Sequence, residues 1–360
     1  MGAFLVRALF WICAFAGMMK KHKIALFFFC IIFCSACEKR PKLSYIEGYA
    51  QGTTYHITLQ KPDTLTVGAI SKAINQVISQ IDAEMSLYRP DSEIMRINQA
   101  ELHQPIQISD HMHDILTQSH FLHKQSSGYF DVTVGKIVAA YGFGGQGRQQ
   151  ESIDLPGPRE SLQLKESINA ESLVLGTQQK TLLKTYPVSI DLDAIAQGYT
   201  VDQLVQTLES MGVVIYLVEL GGELRGSEYK IKEAHFTQHW SIGIEMPPDI
   251  KGDAKKIMIS NSAVATSGHY RQRRKQGEKE WSHIINPLTA EPADMQTVSV
   301  TVVHRLASMA DGWATALMAA PFVESQKIAE KNQLAAYWII QRKQGDFEFF
   351  YTDRFLLFVK

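Results

Sequence analysis

Residues 189–202 read SIDLDAIAQGYTVD, and the order of residue types here governs how the rest of the chain is read. A short apolar strand carries two acids, Asp191 and Asp193, into a loop of small residues, and a helix follows at once. A strand end, a tight loop and a helix N-terminus together can take a phosphate, and carboxylates beside them can hold a cation. Few core segments place two aspartates and a glycine so close together. The stretch points to nucleotide or phosphate chemistry and leaves open which.

Downstream, Val201, Leu204, Val205 and Leu208 recur at i, i+3, i+4 and i+7. That spacing predicts a helix from Tyr199 to Met211, stopped by Gly212. Val213 to Glu219 is a strong strand turned by Gly221-Gly222, and further strands are expected near Trp240–Ile244, Lys256–Ile259 and Thr297–Val303. A helix over Ala307–Ala319 ends at Pro321, and the C-terminus reads as strands at Ala335–Gln341, Phe347–Tyr351 and Phe355–Val359. Upstream, Thr53–Leu59 alternates as a strand, while Val67–Leu87 and Asp110–Gln125 carry helical periodicity. Pro90-Asp91-Ser92 opens a short helix, and Ser126-Ser127-Gly128 stops the one before it. The four glycines of Gly142–Gly147 predict a mobile loop, and the polar run Gln149–Glu160 a surface insertion or internal boundary. Strands cluster without a regular βαβ alternation, so the expected class is α+β.

The chain has 360 residues, 45% hydrophobic and 20% charged, which is ordinary globular composition. A net charge of -1 gives no general attraction to nucleic acid or to a membrane surface. All four cysteines, Cys13, Cys30, Cys34 and Cys37, lie in the first 37 residues, so the remainder has neither a disulfide framework nor a cysteine metal site. Lys20, Lys21 and Lys23 precede the apolar run Ile24–Ala36, which is short for a membrane span. Small residues before Cys37 resemble a bacterial lipoprotein cleavage site with Cys37 as the lipid-bearing residue; an uncleaved anchor is the alternative. The expectation is a signal segment over 1–36, with translation starting at Met18 or Met19, and one functional domain over 37–360.

Five constellations carry chemistry. Asp311 and Thr315 stand one helical turn apart and offer hard oxygens suited to Mg²⁺, or else a helix cap and a back-bonded hydroxyl. His283, entering an apolar run before Asn286-Pro287, can serve as a general base or sit as a satisfied half-buried histidine. Val264-Ala265-Thr266-Ser267-Gly268 reads as a small-residue turn after a strand, able to bring backbone N–H groups to a phosphate. Tyr129 and Phe130 beside Asp131 could stack on and hydrogen-bond a ring system, and Tyr88-Arg89 lies just outside a helix end. His111, His113, His120 and His123 lack a partner set for a metal and read as a solvated helix face. The basic run Arg271, Arg273, Arg274 and Lys275 reads as a solvated loop.

Eight motifs together resemble the ApbE family of FAD:protein FMN transferases. They are GTTY at Gly52, MSLYRPDSE at Met85, GYFDVTVG at Gly128, DLDAIAQGY at Asp191, YLVELGGELR at Tyr216, ATSGHYR at Ala265, HIINPLT at His283 and the Asp311/Thr315 pair. They occur in family order. The resemblance implies one large domain of mixed or antiparallel sheet with packed helices. It implies Mg²⁺-dependent transfer of FMN from FAD to a Ser/Thr hydroxyl of an acceptor flavoprotein, with a phosphoester formed and AMP released. By motif position the metal ligands would be Asp311, Thr315 and the Ala194 carbonyl, with Ser308 a further candidate. Gln51, Tyr88, Tyr129, Phe130, Asp131, Asp191 and Gln197 would line the FAD site, and His283 would be the base. Gln51 stands where the family often has Met, and Gln197 where Lys or Glu is frequent.

The resemblance also implies an exported, lipid-anchored protein of the bacterial cell envelope, at the inner membrane facing the periplasm. Its partners would be extracytoplasmic flavoproteins, including membrane redox-complex subunits, and not nucleic acid. Two other readings use the same residues: a Mg²⁺-dependent FAD pyrophosphatase giving FMN and AMP, and a noncatalytic flavin-binding lipoprotein.

Overall fold

The computed structural model describes residues 42–359 apart from 148–154, 177–178, 232–235, 248–249, 251–254 and 343–344. The leader with Cys13, Cys30 and Cys34, then Cys37, and residues 149–154 of the polar 149–160 run fall outside the described residues. The chain divides into two units, residues 42–230 with 236–360, and residues 1–41 with 231–235. The larger unit holds every element named below.

Its frame is one eight-stranded sheet whose strands follow each other in chain order, every neighbouring pair antiparallel. The strands are β1 (Ser44–Ala50), β2 (Thr53–Leu59), β3 (Tyr216–Leu220), β4 (Glu223–Gly226), β5 (Ser262–Gly268), β6 (Thr297–His304), β7 (Ala335–Gln341) and β8 (Phe347–Tyr351). The remaining elements are inserted between consecutive strands, apart from a 3-10 turn that follows β8. The β2–β3 connection carries the helices Val67–Met85 (α1), Glu93–Gln99 (α2), Asp110–Gln125 (α3) and Ala196–Ser210 (α4), with a small sheet of Pro105–Gln107, Thr181–Lys184 and Leu173–Leu175. The β6–β7 connection carries Ala307–Ala319 (α5) and Phe322–Lys331 (α6).

β7 explains the layering. In a strand, successive side chains point to opposite faces. Ala336, Trp338 and Ile340 join the core beneath the helices, while Ala335, Tyr337 and Ile339 join a second core with Ile244, Ile257 and Phe355. Both faces are therefore buried, and the segment reads as an unbroken apolar run instead of an alternating one. The hairpin Trp240–Gly243/Lys256–Ile259 contributes to that second core.

Most expected elements stand where the periodicity put them, with Asp110–Gln125 and Ala307–Ala319 matching at both ends. Three differ. Phe355–Phe358 lies within the 3-10 turn Asp353–Phe358 and Val359 makes only a single bridge to Ile257, so the strand expected over Phe355–Val359 does not form; Phe355 turns inward to stack on Tyr337 at 5.3 Å while Leu356 and Leu357 stay exposed. Gly142–Gly147 is not an open mobile loop: residues 141–145 are buried. Its glycines instead permit close approach, for a Cβ on Gly145 would lie 2.5 Å from the Leu87 carbonyl oxygen. The strand expected before Asp191 shrinks to a single bridge between Ser189 and Val134.

Candidate active site

The helices α4 and α5 meet at Gly198. A Cβ there would run into the Ala307 carbonyl and lie 2.8 Å from the Asp311 Cβ, so only glycine allows this approach. The Gly198 N–H donates to Asp311 Oδ2 at 3.0 Å. Ile195 and Ala196 N–H donate to the Leu192 carbonyl. The helix N-terminus that seemed ready for a phosphate thus holds a carboxylate, the same electrostatic preference met from within the protein. Asp311 Oδ1 makes no hydrogen bond among the described residues. Burial pushes its carboxyl up to about 7 despite that N–H, and Asp193 pushes the same way. Thr315, one turn on, lies 3.2 Å from the Ser267 hydroxyl. Ala194 sits in the turn just before α4.

Ser308 is committed elsewhere. Its hydroxyl donates to Asp202 Oδ2 at 2.8 Å, and Asp202 also accepts from the Ala307 and Ser308 N–H groups. Asp202 therefore caps α5 while pairing with Arg225 at 2.7 Å. Sequence reading missed this residue because its partners lie far along the chain.

Asp191 and Asp131 are brought together by the backbone, since Asp191 N–H donates to the Val132 carbonyl at 2.8 Å. Asp191 Oδ1 accepts from Asp193 N–H at 2.9 Å, so Asp193 closes a local turn. Asp131 Oδ1 accepts from the Thr133 N–H and hydroxyl, while Oδ2 pairs with His123 Nδ1 at 3.2 Å; that bond holds the His123 ring above its ordinary range. Tyr129 is partly buried, and Tyr88 stands at the rim, 51% exposed. Phe130 is only 2% exposed and packs near Gly312 of α5, so it backs the site from the core. A cavity of about 490 Å³ opens beside Asp191, with Asn98, Lys136, Phe143 and Lys184 among its other walls.

Gln51 sits in the tight β1–β2 turn at φ 50°, and its Nε2 donates to Thr200 of α4 at 2.7 Å. Its buried Oε1 has no hydrogen-bond partner among the described residues. Gln197 and Arg271 both press on the Gly221-Gly222 turn: a Cβ on Gly221 would lie 3.0 Å from Gln197 Oε1, and one on Gly222 2.5 Å from an Arg271 nitrogen. Arg271 donates to the Gly221 carbonyl and pairs with Glu223 and Glu245, so it is no solvated-loop residue. Glu223, unseen from the sequence, is 3% exposed with Oε2 unpartnered among the described residues. Burial, then the charge of Asp311, holds its carboxyl well above the ordinary range.

His283 follows the hairpin strand Lys279–Ser282. Its Nδ1 lies 3.3 Å from the Gln272 carbonyl, which can only accept, so the proton sits on Nδ1 and the lone pair on Nε2. Phe143 meets the ring edge-on at 6.1 Å, and Arg274 covers Phe143 from 5.7 Å. Gly128, beside Tyr129, would touch Leu288 of the His283 segment at 3.1 Å if it carried a Cβ.

Two other expectations change. Val264–Gly268 is no turn but part of β5, paired with β6 throughout, so its ladder amides are not a phosphate cradle. The four histidines of α3 are half-buried: His111 pairs with Glu84, His113 with the Gly176 carbonyl, His120 with carbonyls of Leu116 and Ala170, and His123 with Asp131. No group of three or more His, Cys, Asp or Glu arranged for a metal occurs among the described residues.

Comparison with known proteins bears on the family and the fold. Residues 51–338 match the model of the ApbE family. The FAD:protein FMN transferase of Haemophilus influenzae is 33% identical over 319 residues, covering 86% of this chain and 90% of that protein. The FAD:protein FMN transferase of Vibrio cholerae is 31% identical, covering 88% and 92%. The solved flavin transferase ApbE from Vibrio cholerae superposes with a TM-score of 0.78 at 31% identity, over 88% of this chain and 99% of that one. The apo flavinyl transferase ApbE of Pseudomonas stutzeri gives 0.78 at 26% identity, over 87% and 96%. With the family's pattern matched over most of its length and its fold reproduced, this chain belongs to the ApbE family.

Proposed function

We propose that this protein is an FAD:protein FMN transferase, moving FMN from FAD to a Ser/Thr hydroxyl of an acceptor flavoprotein. The observation that carries the reading is Asp311: a buried carboxylate held by one N–H, with no donor to its second oxygen among the described residues and Thr315 one turn away. A buried anion is costly unless a cation accompanies it. The oxygens of Asp311, Thr315 and the Ala194 carbonyl are hard donors of the kind Mg²⁺ takes, and they would hold it. The ion, when bound, would neutralise charge building on the pyrophosphate.

The rest of the chemistry falls to the chain. Asp191, Asp131, Tyr129, Tyr88, Gln51 and Gln197 would bind and orient FAD, with Phe130 supporting them from the core. His283 Nε2 would take the proton of the acceptor hydroxyl, whose oxygen bonds to the FMN phosphorus. The bond from that phosphorus to the bridging oxygen breaks, and AMP leaves with the bridging oxygen and, in balance, the proton.

Cys37 and its leader support a further part of the proposal: a lipid-anchored protein of the bacterial envelope at the inner membrane, facing the periplasm. There it would serve extracytoplasmic flavoproteins such as membrane redox-complex subunits.

The test is to incubate the protein with FAD, Mg²⁺ and a peptide bearing a candidate Ser/Thr acceptor motif. An FMN-sized mass added to the peptide, lost on chelation, is the expected result. Free FMN and AMP without labelling would establish the pyrophosphatase instead. Retained FAD without AMP release would establish a flavin-binding protein.

A further inference from the structure

A second histidine lies behind the first. His269 follows β5 directly and is fully buried, so it cannot meet a substrate. Both its ring nitrogens are used. Nε2 lies 3.0 Å from the Asp294 carbonyl, and Nδ1 is in short hydrogen-bond contact with the Ser282 hydroxyl. A carbonyl only accepts, so Nε2 carries the proton and Nδ1 accepts from Ser282. Burial pushes this ring down to about 4, which keeps it neutral near pH 7. The Ser282 oxygen in turn accepts from the Ile284 N–H at 3.3 Å. Ile284 returns to the same turn, its carbonyl accepting from Ala293 N–H at 2.9 Å. The result is a one-way relay, Ile284 N–H to Ser282 O–H to His269 to Asp294, with its first two members on either side of His283.

We infer that His269, acting through Ser282, is a positioning residue that fixes the direction of the His283 ring. This rests on the reading of His283 as the base. His283 Nδ1 and its backbone N–H share the Gln272 carbonyl at 3.3 and 3.4 Å. The ring starts from the backbone between Ser282 and Ile284, and the relay pins that backbone from behind. Displacement of a reacting group by about 1 Å can cost on the order of 100-fold in rate.

The experiment uses Ser282→Ala, His269→Leu, His269→Asn and His283→Ala in the full chain, with FAD, Mg²⁺ and an acceptor peptide. In Ser282→Ala and His269→Leu, kcat should fall by roughly 10- to 100-fold with KM for FAD within about twofold, and the acid limb of the pH–rate profile should move. His269→Asn, which keeps an acceptor near the place of Nδ1, should recover most of kcat. If His269→Leu does not fold, Ser282→Ala decides alone. Wild-type kcat and an unmoved acid limb in Ser282→Ala, with His283→Ala inactive, would overturn the inference and leave the base intact. Joint loss of kcat and FAD affinity with a lowered Tm would also overturn it, as the mark of a merely structural role. Full transfer by His283→Ala would instead sink the reading of the base.

Discussion

The Gly198 amide donates to Asp311 Oδ2 at 3.0 Å across two helices whose backbones touch at that same glycine. One position thus fixes how close the helices lie and how the carboxylate is turned. Gly198→Ala should separate them. We expect transfer to fall at least tenfold, a weaker Mg²⁺ requirement curve, and a loss of about 1–3 kcal/mol in stability from overpacking. Denaturant unfolding and Mg²⁺ titration of activity measure the two effects, and unchanged Mg²⁺ dependence would refute the coupling.

Asp311 makes stability depend on pH in a definite direction. Its folded value, about 7, lies above its ordinary 3.8 because burial disfavours the charged form. The metal-free fold therefore keeps this contribution below about pH 4 and loses it as pH rises toward 7. Mg²⁺ should raise Tm more at pH 8 than at pH 5, and Asp311→Asn should remove that difference along with transfer. Thermal melts at the two pH values, with and without Mg²⁺, are the check.

Ser308 and Asp202 separate cap from metal site. Ser308→Ala removes one hydrogen bond to Asp202 and should cost about 1 kcal/mol while leaving the Mg²⁺ dependence of transfer unchanged. Asp202→Ala uncaps α5 and strands Arg225, with an expected loss of about 3–5 kcal/mol. A large shift in Mg²⁺ affinity in Ser308→Ala would make it a ligand after all.

Gln51 presents a buried acceptor that has no donor among the described residues. If FAD supplies that donor, Gln51→Met should weaken FAD binding by roughly tenfold, the worth of about one hydrogen bond. Fluorescence titration with FAD measures it, and equal affinity in the two proteins would remove Gln51 from the site.

Local patterns exposed much of this protein. The helical periodicity of Ala307–Ala319 located Asp311 and Thr315 on one face, and Ser92 caps its helix where the Pro90-Asp91-Ser92 turn foretold. The failures share a cause, which is packing from far along the chain. β5 reads as a turn because Ala265, Thr266, Ser267 and Gly268 are small, yet Ser267 of this strand meets Thr315 of α5, where small side chains allow close packing. Its identity as a strand comes from β6, not from its own propensity. Glu223 with Arg271, and Asp202 with the start of α5, are pairings through space that no local spacing announces. Arg271 and the α3 histidines looked solvated for the same reason.

The order of strands also governs how the molecule is made. β1 and β2 pair through a two-residue turn, but the next neighbour of β2 begins at Tyr216, after the whole of residues 60–215. Closing a connection of that length costs roughly 4–5 kcal/mol of chain entropy before Leu59 meets Tyr216. During synthesis, then, the first hairpin waits with one side of Thr53–Leu59 unpaired while most of the site's scaffold is still being threaded out. An open strand edge invites pairing with another chain. This is the stage at which a nascent chain of this protein is most exposed to aggregation, and the stage at which a chaperone would have most to protect.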